Sequence, residues 1–115
     1  MTRILSVSYD LALLSSRQLL LESLGCEVVS ASEFSRALQL CNHGSRFGLF
    51  VLGHSIPTPE KEALVAAFRA HCSAPVIALK KVGEEVTTAD FQIEPDPSQL
   101  LDVISRVISR HAASA

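Results

Sequence analysis

Short β-prone apolar segments alternate with stretches of helical apolar spacing from one end of this chain to the other, and that alternation leaves few folds open. Ile4, Leu5 and Val7 form a β-prone segment halted at Ser8-Tyr9-Asp10. Leu13, Leu14, Leu20, Leu21 and Leu24 then recur at helical spacing, and Gly25 supplies a C-cap. Arg17 falls inside that apolar arc, where its stem is expected to pack while its guanidinium reaches water. Cys26 to Ala31 reads as a second strand, and Ser32 as the N-cap of a helix carrying Phe34, Ala37, Leu38 and Cys41 that closes near Gly44. Phe47 to Gly53 is almost wholly apolar, which suits a central strand buried on both faces. Past His54-Ser55-Ile56-Pro57, Thr58 and Pro59 read as N-cap and N1 of a third helix with Leu64, Val65, Phe68 and Cys72 along one side. Val76 to Leu79 is a fourth strand and Phe91 to Ile93 a fifth, ending at Glu94-Pro95. A last helix follows Asp96 and Pro97 and turns Leu100, Ile104, Val107 and their neighbours to one side.

Right-handed crossovers turn such an alternation into a parallel sheet with helices on both faces, a three-layer α/β sandwich. The functional crevice of such a sheet lies at the carboxyl ends of its strands, which selects Ser8, Tyr9, Asp10, Gly53, His54, Lys80 and Glu94. With 115 residues, 48% of them hydrophobic, there is room for one domain, read as residues 1–111, with 112–115 as a tail or the start of a linker. A formal charge of −2 is too little positive charge to hold a phosphate backbone, so direct nucleic-acid binding is not expected. The longest apolar run, Ala63 to Phe68, falls far short of the ~20 residues of a membrane span, and the N-terminus lacks the pattern of a signal peptide. A cytoplasmic location is expected. Cys26, Cys41 and Cys72 read as reduced thiols, and His43, His54, His71 and His111 have no partners at ligand spacing, so neither a metal site nor a cofactor is expected.

Several of these segments are similar to the receiver domain of bacterial two-component response regulators, over almost the whole chain. They are Ile4-Leu5-Ser6-Val7, Leu24-Gly25-Cys26-Glu27-Val28, Ala31 with Ala37-Leu38, Phe47 to Gly53 followed by Ile56-Pro57, Ala74-Pro75-Val76-Ile77, and Glu94-Pro95. The resemblance implies a flavodoxin-like fold, a five-stranded sheet of order 2-1-3-4-5. It also implies a site, and here the chain departs from the pattern. The acidic pair that holds Mg²⁺ is matched by Ser8 and Tyr9, leaving only Asp10 beside them, although a hard cation demands carboxylate oxygens. The phosphoacceptor position is Gly53, which has no side chain to attack a phosphoryl donor. Lys80 stands at the hydroxyl-bearing switch position, Glu94 at that of the family's lysine, and Phe91 at the switch aromatic.

These replacements fall on one pocket, so the resemblance implies a pseudo-receiver: a signalling module that acts through protein–protein contact without phosphorylation. A small-molecule sensor reusing the vacated crevice, with Asp10, His54 and Ser55 as its residual polar groups, is the alternative. An enzyme ranks below both. Cys41-Asn-His-Gly-Ser-Arg46 is one residue short of a cysteine-phosphatase loop and follows a helix, and His54-Ser55 has no visible orienting group. Three structural expectations follow. Lys80 and Glu94 should pair across the vacated pocket. Residues 81–90, with Gly83, Val82, Val86, Thr87 and Thr88, should form no stable helix, so the family's fourth helix should be reduced or absent. Apolar surface near Val76, Ala78, Phe91 and the third helix should then lie bare, and a homodimer or docked protein is expected at the face of the fifth strand and last helix.

Overall fold

The computed structural model describes residues 2–42, 47–81, 83–86 and 88–114, with side chains as far as Ile108 in the last helix. His43, Gly44 and Arg46, with Val82, Thr87 and the His111 side chain, lie outside the described residues. Five strands, β1 (Arg3–Val7), β2 (Glu27–Ala31), β3 (Leu49–Leu52), β4 (Val76–Leu79) and β5 (Phe91–Ile93), form one sheet of order β2-β1-β3-β4-β5. Every pairing in it is parallel. Four helices accompany it: α1 (Leu11–Glu22), α2 (Phe34–Asn42), α3 (Thr58–His71) and α4 (Pro97–Ser114). The backbone of 112–114, expected as a tail, continues α4.

The period of two along each strand sorts the core into two layers. Leu5, Val7, Phe50, Leu52 and Val76 pack with Ala37 and Leu40 of α2 and with Leu64, Val65 and Phe68 of α3. The alternate residues Ile4, Leu49, Val51, Ile77 and Leu79 pack with Leu21 of α1 and with Leu100, Ile104 and Val107 of α4. β3 and β4 are therefore buried on both faces, as their unbroken apolar runs require.

The helix ends show which capping signals operate. Asp10 accepts from the Leu13 N–H at 3.1 Å and so caps α1. Gly25, at φ +82°, turns the chain from the end of α1 into β2 through a conformation other residues adopt only under strain. Asp96 caps α4 by accepting from Ser98 N–H at 2.8 Å. Two caps differ from expectation. α2 begins at Phe34, its first turn closing on the Glu33 carbonyl rather than at Ser32. Pro57 holds the cap position of α3, and Thr58 turns its hydroxyl away to Glu84.

Between β4 and β5 no helix forms, as expected, among the described residues of 81–90. The crossover is irregular yet anchored along its length. The Val86 N–H donates to Gln92 Oε1 at 2.7 Å, and Asp90 Oδ2 accepts from the Val76 N–H at 2.7 Å and from Arg69 Nη2 at 3.0 Å. Arg69 also donates to the Thr88 carbonyl at 2.8 Å. Val86 is fully buried and Ala89 packs on the α2/α3 core layer. The expectation of bare apolar surface is corrected at Val76 and Ala78, which are completely covered because a strip pinned by side-chain hydrogen bonds lies over that part of the sheet, whereas Phe91 stays partly exposed.

Candidate functional site

The carboxyl ends of β1, β3 and β4 bring together most of the residues selected from the sequence. Ser8 is completely buried at the end of β1. Its Oγ lies 3.4 Å from Ser55 Oγ, and Ser55 Oγ accepts from the Tyr9 N–H at 3.2 Å. Ser8 Oγ also accepts from the Asp10 N–H at 3.3 Å. Hydroxyls thus satisfy one another and the backbone at this strand end. Tyr9 turns outward along α3, its hydroxyl donating to Glu60 Oε1 at 2.8 Å, and burial together with that carboxylate raises its ionisation above the ordinary phenol range.

Arg17 alters this crevice most. Its guanidinium is drawn in rather than extended to solvent as expected: the residue is 8% exposed, and Nη1 is buried with no hydrogen-bond partner. A β-carbon built on Gly53 would lie 2.9 Å from Arg17 Nη1 and 3.0 Å from both Cβ and Oγ of Ser8. Gly53 has no positive φ, so this close approach, not backbone conformation, is what glycine permits here. The arginine head thus rests where any side chain at 53 would begin. Burial lowers the Arg17 pKa against the opposing pull of Asp10.

The local field is positive. Burial lowers the pKa of His54, and Arg17, Lys61 and Lys81 push it further down against Asp10. His54 Nδ1 is buried without a partner, so it forms no base–nucleophile pair with the adjacent Ser55, whose hydroxyl is engaged by Ser8 and Tyr9. Magnesium, which the resemblance implies, does not fit this donor set: two hydroxyl side chains replace the acidic pair, and Asp10 is spent on capping α1. Among the described residues no three His, Cys, Asp or Glu side chains gather to hold a metal ion.

Lys80 and Glu94 do not pair: among the described residues neither takes part in an ion pair within 4.0 Å. The strand ends are joined through the backbone instead, Lys80 N–H to the Ile93 carbonyl at 2.9 Å, while Glu94 is exposed. Phe91 packs half-buried against the α1/α4 core layer. The ion pair of this region is one not anticipated. Lys61 of α3 is 0% exposed, and its Nζ donates to Glu84 Oε1 at 2.6 Å and to the Leu79 carbonyl at 2.9 Å. Glu84 also accepts from Thr58 and from the Lys81 N–H. Burial alone would raise the Glu84 carboxyl, but these donors outweigh it and hold it at about 2. Lys61 occupies the apolar stripe of α3 with Leu64, Val65 and Phe68, and that spacing was its available signal.

These coordinates define a receiver fold. Among solved structures, a CheY-like response-regulator receiver domain from Methanospirillum hungatei JF-1 superposes with TM-score 0.82 at 23% identity, covering 100% of this chain and 99% of that one. A response-regulator receiver domain from Clostridium thermocellum gives TM-score 0.81 at 17% identity with all of both chains covered. A CheY-like receiver domain from Methylobacillus flagellatus gives TM-score 0.76 at 20% identity, covering 93% of this chain and 98% of that chain. Neither a protein-family model nor a curated protein matches the sequence. No helix among the described residues is long and apolar enough to cross a membrane.

Proposed function

We propose that this chain is a pseudo-receiver, a signalling module that works without phosphorylation and transmits by protein–protein contact. The observation that carries this reading is Arg17 Nη1 set against Gly53. A carboxylate nucleophile is missing, the space it would use is taken by a cation, and the Mg²⁺ ligands are replaced by hydroxyls. A ligand reusing the crevice would first have to displace the arginine. The anchored β4–β5 crossover supports the same reading, since Glu84, Val86 and Asp90 tie it to α3, β5 and β4.

The partner, a second copy or another protein, docks on the edge formed by β5 and α4. β5 ends the sheet, and Phe91, Ile93, Val103 and Ile108 there are only partly covered. Incubation with acetyl phosphate and Mg²⁺ followed by intact-mass measurement tests the absence of phosphotransfer. No adduct is expected. A stoichiometric phosphate adduct overturns the reading, and Ser55 is the residue to map first. Sedimentation at several concentrations, alone and with candidate partners, repeated with Phe91→Asp, tests the face; association unchanged by that substitution removes it.

A further inference from the structure

We infer that a second site, on the α1/α4 side of the sheet, binds a small apolar carboxylic acid with Arg17 as its counter-ion. A cavity of about 230 Å³ lies between α1, the end of β4 and the start of α4. Its walls are chiefly apolar, from Leu13, Leu20, Leu79, Pro95, Pro97 and Leu100, and Ser16, Arg17 and Asp96 complete the lining. It exceeds the ~150 Å³ cavity that encloses benzene, so a ligand of roughly ten non-hydrogen atoms fits.

The charge of the ligand follows from Arg17. Among the described residues the Arg17 guanidinium makes no hydrogen bond and no ion pair; the residue is 8% exposed, and Nη1 is buried without a partner. A cation so placed has no counter-charge in direct contact, and an anion entering the cavity supplies one. Neither neighbouring carboxylate pairs with it within 4.0 Å: Asp10, which acts on it only at longer range, caps the Leu13 N–H, and Asp96, in the cavity lining, accepts from the Ser98 N–H. One guanidinium matches one carboxylate in charge and in fork geometry. A phosphate dianion would meet apolar walls on its remaining oxygens, and a neutral ligand would leave the arginine uncompensated. The class is therefore a monocarboxylate with an aliphatic or aromatic body.

The test is titration of the ¹⁵N-labelled protein with hexanoate and phenylacetate, beside hexanamide and phenylacetamide, which match them in shape without the charge. At least one acid should bind saturably, with amide shifts centred on Leu13, Arg17, Leu20 and Leu100, and about tenfold more tightly than its amide. Arg17→Met should abolish that preference while leaving the apolar cavity. Absence of saturable shifts from both acids up to ~10 mM overturns the inference, as does equal binding of acid and amide or shifts centred elsewhere. The wild-type titration decides the matter even if the variant fails to fold. A negative result leaves the phosphorylation reading standing, because that one is read from adduct mass.

Discussion

Replacing Glu84 by Gln removes the charge opposite a lysine that has no access to water. In the native protein Lys61 Nζ reaches Glu84 at 2.6 Å with side-chain exposures of 0% and 6%. A carboxyl drawn from 4.5 down to about 2 corresponds to ~3 kcal/mol of stabilisation at neutral pH. The same magnitude, ~3–5 kcal/mol, is typical for breaking a buried pair by removing one partner. Glu84→Gln should therefore lower unfolding stability by about 3 kcal/mol in urea denaturation at pH 7, a large part of a small domain's total. Lys61→Met in that background should restore most of the loss, since no bare charge is then left inside. The pH dependence has a definite sign. Because the folded carboxyl is depressed, its contribution is complete above about 4.5 and is lost as pH falls toward about 2, so the wild type should weaken across that window and Glu84→Gln much less. Additive losses from the two single substitutions, or a Glu84→Gln loss under ~1 kcal/mol, would refute a coupled buried pair.

Gly53→Ala should cost ~1–3 kcal/mol, because its methyl meets Arg17 Nη1 and Ser8 at 2.9–3.0 Å, and the cost should shrink in an Arg17→Met background where the head group is gone; thermal melts of the four proteins check this. Asp90→Ala strips acceptors from the buried Val76 N–H and from Arg69, so a loss of ~1–2 kcal/mol is expected, with faster amide exchange along residues 84–90 measured by mass spectrometry.

The layered sheet was legible because each strand and helix carries its own period. Leu49–Leu52 and Val76–Leu79 could only be central, and the ten-residue connection with Gly83 and β-branched residues could not hold a helix. Less legible was where charges inside apolar stripes would go. Arg17 and Lys61 both sit at core spacing, and the usual behaviour of such side chains is to extend to solvent. Which one is trapped depends on what closes over it: Glu84 and the crossover over Lys61, Gly53 and Ser8 against Arg17. Those partners are remote in sequence. Lys80 and Glu94 show the converse, since neighbouring strand ends place two opposite charges near each other without making their side chains meet.

The contact of Arg17 with Gly53 also bears on reversibility over evolutionary time. An aspartate at 53 would meet the same close contacts as alanine, and its carboxylate would be engaged by the guanidinium rather than left free to react. Losing the arginine first would open space that no nucleophile yet uses. Restoring cation ligands at Ser8 and Tyr9 would disturb the hydrogen bonds with Ser55 and Glu60 before any cation could reward it. On the proposed pseudo-receiver reading, each single change toward a phosphoacceptor site therefore meets a contact already in place, an epistasis between residues 36 positions apart.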